Sequence, residues 1–185
     1  MDLGRKICDN RNADVWGLSI FNAMSHFVIS GYQPGAIGRI IELHANYYSK
    51  YSGFGLHFES KVATEMAEFL TRFDETHDGF WIALVDDEIV GSIAIDGILS
   101  ETKGYHLRWY IVDEKHQGKG IGNQLLQRAI DFCRQKSGTR IYLWTVSGLD
   151  ASRHLYEKYG FSLCQSHDGT TWGIRANEQM FELRL

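Results

Sequence analysis

Three glycines at alternate positions, Gly118, Gly120 and Gly122, separate an aromatic and β-branched run ending at Val112 from a helical pattern beginning at Asn123. The order is strand, short polar turn, glycine loop, helix. A helix N-terminus leaves backbone N–H groups without intrahelical partners and carries roughly half a positive charge, so it can hold an anion with main chain alone. Glycines there let a bulky phosphate approach the backbone. The nucleoside-triphosphatase loop needs G-x-x-x-x-G-K-[ST], and Lys119 sits in no such string. A dinucleotide fold needs G-x-G-x-x-G with an acidic residue at the end of the next strand. Here the spacing is G-x-G-x-G, and the next strand runs out in Val146-Ser147-Gly148 without a carboxylate.

Gln117-x-x-Gly120-x-Gly122 fits the [RQ]-x-x-G-x-[GA] signature of the GNAT acyltransferases, with Val112 at that family's usual spacing before Gln117. Downstream, Leu155-Tyr156-Glu157-Lys158-Tyr159-Gly160-Phe161 resembles the L-Y-x-x-x-G-F string that closes the same family's core. The resemblance covers roughly residues 31–185, and within the superfamily it looks most like the acetyltransferase domain fused to winged-helix regulators of the MarR type. It implies an α/β (α+β) fold: a mixed central sheet of about six to seven strands, splayed between its two central parallel strands, with helices on both faces.

The same resemblance implies an N-acetyltransferase that moves an acetyl group from acetyl-CoA to a primary amine of a small molecule or peptide by direct attack. The amides of Gln117, Gly118, Lys119, Gly120, Ile121 and Gly122 would take the pyrophosphate. Backbone groups of Ile111 and Val112, left unpaired by the splay, would hydrogen-bond the pantetheine as a strand would. Tyr156 occupies the family's general-acid position. His106 falls where several relatives carry a catalytic Glu, which makes it a candidate base, although an ordered water chain can serve instead. No metal is needed for this chemistry. Many relatives carry a cofactor-contacting Asn after the second splayed strand; this chain reads Ser147-Gly148-Leu149-Asp150, so Ser147 or Ser152 would replace it. Strand alternation places His106, Arg108 and Tyr110 on one face, where Arg108 serves a substrate carboxylate or a structural ion pair. The lack of a clear basic carboxylate on the central strand supports one alternative: a catalytically silent acyl-CoA-binding sensor or regulatory domain of the same fold.

Composition narrows the partners. A chain of 185 residues with 44% hydrophobic content can bury one substantial core. A net charge of -4 and a pI near 6.0 give no basic footprint for nucleic acid. Cys8, Cys133 and Cys164 are odd in number and widely spaced, with no zinc-type pairing, which suggests a reducing compartment. No run of about eighteen apolar residues and no signal-peptide stretch occurs, so the expected location is cytoplasmic, away from membranes. The eight histidines show no paired metal-ligand spacing.

Along the chain, residues 1–26 read as an N-terminal extension, with a docking or homodimer-contact helix over residues 14–27, and residues 27–185 as the acetyltransferase domain. Residues 27–32 predict a first strand. Pro34 opens a helix that stops at Ser52-Gly53, and a second helix spans residues 59–73. The loop 51–58 between them is the candidate acceptor contact. Asp86-Asp87 joins strands 80–85 and 88–95 as a hairpin, and residues 96–104 read as an exposed loop. The helix 123–136 is followed by a strand over 139–146, parallel to the central strand by the right-handed crossover rule. A helix over 151–159, capped by Asp150, precedes strands at 161–165 and 180–185 with Asp168-Gly169 as the turn.

Overall fold

Seven strands form one sheet in the order β1-β2-β3-β4-β5-β7-β6 in the computed structural model, which describes residues 27–185. The strands are β1 (Val28–Ser30), β2 (Gly79–Val85), β3 (Glu88–Asp96), β4 (Tyr105–Val112), β5 (Arg140–Val146), β6 (Ser162–Gly169) and β7 (Ala176–Arg184). The helices are α1 (Ala36–Ser52), α2 (Leu56–Thr71), α3 (Ser100–Lys103), α4 (Ile121–Gln135) and α5 (Asp150–Lys158), and a short 3-10 turn covers Glu114–His116. The extension and its helix fall in residues 1–26 and so lie outside the described residues.

Local chemistry explains the boundaries. Asp86 and Asp87 hold φ of 49° and 64°, the double left-handed geometry that matches strand twist in a two-residue hairpin and that Asp tolerates better than most residues. Gly53, at φ 68°, ends α1 by returning its N–H to the Ser49 carbonyl at 3.1 Å. Gly120, at φ 86°, starts α4 at Ile121, two residues ahead of the apolar pattern. The amphipathic face of α4 buries Leu125, Leu126, Ala129, Ile130 and Cys133 against Ile93, Leu107, Ile141 and Phe181 of the sheet. On the opposite face, Ile40 of α1 and Met66 and Phe69 of α2 pack on Ile82, Ala94, Trp109 and Val146.

Two irregularities in β4 shape everything that follows. The register with β3 runs from Ala94↔Arg108 to Ser92↔Ile111, so Trp109 and Tyr110 together oppose Ile93. This is a bulge, with Trp109 at φ 45° and its carbonyl accepting a hydrogen bond from Ser92 Oγ at 2.7 Å. The bulge breaks the simple alternation expected over residues 106–110. Trp109 joins Arg108 on the α1/α2 side, and Tyr110 packs with the α4-side core instead. The second irregularity is the splay. β4 and β5 are parallel, yet they pair only at Tyr105↔Ile141 and His106↔Tyr142, although β4 continues to Val112 and β5 to Val146.

Four local expectations are corrected. Leu56 to Phe58 form the first turn of α2, which shortens the connection expected over residues 51–58; Phe54 and Phe58 are buried against Tyr48, while Tyr51, Gly53, Gly55, Leu56 and His57 are exposed. β3 extends through a buried Asp96, and α3 shortens the loop that follows. Asp150 is the first residue of α5 and makes no capping bond. Asp168 and Gly169 belong to β6, which pairs with β7 through Gly169↔Ala176, and the turn lies over residues 170–175. β6 is an exposed, polar edge strand, so it carries no apolar alternation from which its length could be read.

Candidate active site

The glycine loop closes on its own strand. Gln117 Nε2 donates to the Val112 carbonyl at 3.0 Å, and the Asp113 carboxylate accepts the Lys115 N–H at 3.0 Å. Arg39 of α1 reaches across to Asp113 at 3.1 Å and to the Ile89 carbonyl at 3.1 Å, and Lys50 pairs with Glu114 at 2.9 Å. These ties hold α1 across the open end of β4. Among the described residues nothing lies within 4 Å of where a Cβ would stand on Gly118 (φ 75°) or Gly120, so their missing side chains leave space above the helix. No side chain among the described residues caps α4, which leaves the first-turn amides of Ile121, Gly122 and Asn123 available to an anion. Gly122 has a different reason: a Cβ there would lie 2.5 Å from the Tyr110 hydroxyl.

A cavity of about 260 Å³ runs from this loop into the splay, lined by Ile111, Val112, Gln117, Gly118, Gly120 and Gly122 on one side and by Ser152, Leu155 and Tyr156 on the other. It therefore unites most of the residues expected at the cofactor. Lys119 is exposed beside it, and Ile121 is buried with its side chain in the core. Ser152 lines this cavity, whereas Ser147 lies in a separate small recess with Gly148 and Asp150. His116 Nδ1, on the same wall, is buried without a hydrogen-bond partner among the described residues.

A second, larger cavity of about 680 Å³ opens on the α1/α2 side of the sheet and shares Tyr48, Tyr110 and Tyr156 with the first. Tyr156 is 5% exposed, packed among Tyr110, Phe161 and Phe181, and burial pushes its hydroxyl well above the ordinary tyrosine value, with Tyr48 and Tyr110 adding to the shift. It keeps its proton at neutral pH. Tyr48 is pushed up to about 12, again mainly by burial.

His106 also lines this cavity but stacks flat on Tyr142, and burial, helped by the nearby Arg108 charge, lowers it to about 3. Arg108 is engaged by Glu65 and lies 3.5 Å from Asp96, which is itself held by Arg72 at 2.5 Å; the guanidinium also sits 4.1 Å from the Trp109 ring centroid. The ion-pair role of Arg108 is thus the one the structure displays.

Sequence reasoning missed the far wall of this cavity. Glu178 of β7 is 3% exposed and accepts from the Thr171 N–H at 2.8 Å and the Thr171 hydroxyl at 2.9 Å, next to Trp172 and across from Trp144 and His167. Its placement follows from β7 pairing with both β5 (Val146↔Glu178) and β6 (His167↔Glu178), which no local pattern announces. Tyr48 did carry a signal, the aromatic run His44, Tyr47, Tyr48 and Tyr51 at helical spacing.

A mixed sheet that opens at its central parallel pair, above a glycine-lined helix N-terminus, defines the class of acetyltransferase folds. The model of the acetyltransferase (GNAT) family matches residues 39–161, and the chain belongs to that family. Among solved structures, an acetyltransferase from Streptococcus agalactiae superposes with a TM-score of 0.69 at 22% identity, covering 86% of this chain and 98% of that one. A putative acetyltransferase from Salmonella typhimurium, solved with acetyl-CoA, gives 0.64 at 19% identity over 86% of this chain and 94% of its own. These likenesses concern the fold. Among curated relatives, an uncharacterised N-acetyltransferase of Methanocaldococcus jannaschii is 23% identical over 150 residues, 78% of this chain and 64% of that protein. The probable N-acetyltransferase camello of Xenopus tropicalis is 27% identical over 114 residues, 62% of this chain and 51% of that protein. The chain thus spans about half to two thirds of the length of these curated relatives.

Proposed function

We propose that this chain is an N-acetyltransferase that uses acetyl-CoA to acetylate a primary amine of a small molecule or peptide. The observation that carries the reading is the splay: past His106↔Tyr142, the β5-facing edge of β4 has no strand partner among the described residues and borders a cavity that ends on the glycine loop. The residues present fit the co-substrate. The space over Gly118 and Gly120 and the uncapped first turn of α4 suit a pyrophosphate, and the free edge at Ile111 and Val112 suits an amide-bearing chain laid along it. Ile111 is in register with Ser92, with its carbonyl on the β3 side, so the Val112 carbonyl, which accepts from Gln117 and has acceptor capacity to spare, is the group left toward the splay. Ser152 lines this cavity and Ser147 does not, which supports Ser152 as the cofactor-contacting side chain.

Bound acetyl-CoA would supply an acetyl thioester. Tyr156, protonated and shared by both cavities, is the group placed to give a proton to a departing thiolate. His106 is a weak candidate base, since a group that releases its proton near pH 3 draws one poorly from an amine at neutral pH. That same observation favours the second reading, an acyl-CoA-binding sensor without turnover. The finer likeness to the acetyltransferase domain of MarR-type regulators rests on the sequence motifs alone. No helix among the described residues is long and apolar enough to cross a membrane, and the free thiols of Cys133 and Cys164 suit a cytoplasmic setting. Nothing in the chain's charge invites nucleic acid, and homodimer formation through the N-terminal extension stays a proposal.

The test is coenzyme A thiol release with a panel of amino acids, polyamines, aminoglycosides and peptide N-termini. Amine-dependent release supports the transferase; tight acetyl-CoA binding without release by any amine supports the sensor.

A further inference from the structure

The cavity of about 680 Å³ on the α1/α2 side contains one carboxylate whose burial is unexplained. Glu65 on its wall is taken by Lys61 and Arg108, and Glu68 is solvent-exposed. Glu178 is 3% exposed, and among the described residues no Lys or Arg reaches it; the nearest potential cation is His167, 3.8 Å away. Burying a carboxylate is costly unless it is hydrogen-bonded and paired. Thr171 supplies two hydrogen bonds, one to each oxygen, and each oxygen has acceptor capacity to spare. The fold also makes room for the group: a Cβ on Gly169 would stand 2.5 Å from the Glu178 Cδ. The side chain is therefore seated by its surroundings and lacks only a cation.

A second, independent observation lies on the same wall. Trp172 Nε1 is buried without a hydrogen-bond partner among the described residues, and its ring packs 5.9 Å from Phe58 at the cavity's edge. A buried indole N–H donates only, so what it lacks is an acceptor atom. Glu178 and Trp172 thus bring to the lining of one cavity an acceptor for a cation and a donor for an oxygen.

We infer that Glu178 and Trp172 form the acceptor-recognition site: Glu178 receives the primary ammonium, and Trp172 Nε1 donates to an oxygen carried by the same molecule, as in an aminoacyl amide or peptide N-terminus. The inference rests on the transferase reading for the purpose of the cavity, but the binding itself does not require turnover. Polyamines, which bring cations without an oxygen, satisfy only half of the site.

Calorimetric titrations, with and without coenzyme A, test it using three probes: phenylalaninamide, 2-phenylethylamine, which lacks the carbonyl, and N-acetylphenylalaninamide, which lacks the ammonium. Phenylalaninamide should bind tightest and the neutral probe at least about tenfold more weakly, since charge-assisted hydrogen bonds are roughly twice as strong as neutral ones. Glu178→Gln should erase that preference. Gly169→Ala keeps the charge but displaces the flexible end of Glu178, and it should weaken both amines while the melting temperature holds. Trp172→Phe should weaken phenylalaninamide and leave 2-phenylethylamine unchanged. Wild-type affinity in both Glu178→Gln and Gly169→Ala, equal binding of the neutral probe, or no binding of either amine overturns the inference. Acetyl-CoA titrated in parallel keeps the two proposals apart: amines failing while acetyl-CoA binds removes only this site, whereas failure of acetyl-CoA to bind removes the transferase reading.

Discussion

The imidazole of His106 lies flat on the ring of Tyr142, with 4.5 Å between centroids and 8° between planes, across the last rung at which β4 and β5 are hydrogen-bonded. Beyond that rung the strands part. The stacked pair closes the floor of the splay, and burial that lowers His106 to about 3 suits a neutral spacer better than a proton carrier. His106→Phe keeps a flat ring on Tyr142. Turnover should then fall by less than about threefold, against the hundredfold or more that loss of a general base typically costs. The pH profile of kcat/KM decides it: an acidic limb that shifts with the substitution would restore His106 to the chemistry.

Gly120 and Gly122 should fail differently. At Gly120 a Cβ meets nothing within 4 Å, but φ is 86°, a conformation that costs a non-glycine residue about 1–3 kcal/mol. Gly120→Val should raise the dissociation constant for acetyl-CoA about tenfold or more, with a modest drop in melting temperature. Gly122→Ala instead drives a methyl to 2.5 Å from the Tyr110 hydroxyl, on a ring that lines both cavities. Both cofactor and acceptor affinity should suffer. Unchanged acetyl-CoA binding in a folded Gly120→Val protein would reduce the loop to a plain turn.

Where neighbouring residues fixed the geometry, the sequence could be read. Pro34 and Gly53 bracket α1, Asp86-Asp87 sets the β2–β3 hairpin, and the apolar stripe of α4 identifies its buried face. The motifs also made legible the places of the glycine loop ahead of α4 and of Tyr156 on α5 beside one cavity. The bulge at Trp109 was not, because a left-handed φ in a bulky residue is imposed by tertiary packing, here a Ser92 hydroxyl and a core that takes the indole on the other face. Glu178 was illegible for a similar reason. Its partners Val146, His167 and Thr171 come together only because β7 inserts between β5 and β6.

One buried and one half-buried histidine predict an acid-sensitive stability. His44 is 5% exposed, its Nδ1 lies 2.8 Å from the Ile40 carbonyl, and burial lowers it to about 4 from 6.5. Between those values the unfolded chain binds a proton that the folded chain refuses, so stability is full above about pH 6.5, falls as pH drops, and levels off below about pH 4. The slope should approach about 1.4 kcal/mol per pH unit for each such histidine, with His106 contributing a second. Denaturant melts from pH 4 to pH 7 check this. His44→Phe, which keeps a ring beside Tyr48, should lower the slope by about one histidine's share, while the carboxylates titrate alike in both proteins and cancel.

The remaining prediction concerns Tyr156. Its ring packs on Phe161 and Phe181 at 5.9 and 5.8 Å, while the residue lines both cavities and its hydroxyl forms no hydrogen bond with the described residues. Tyr156→Phe therefore removes an O–H that contributes little to the fold and leaves every ring contact in place. If that O–H protonates the departing thiolate, kcat and kcat/KM should fall together by about a hundredfold or more, since the lost interaction exists only in the transition state. Acetyl-CoA affinity and the melting temperature should stay within error of the wild type. The raised pKa adds a second signature: the hydroxyl stays protonated throughout the neutral range, so no basic limb from Tyr156 should appear in the wild-type rate below pH 10. Near wild-type turnover with Phe at this position would return the tyrosine to the core and hand the leaving group's proton to solvent.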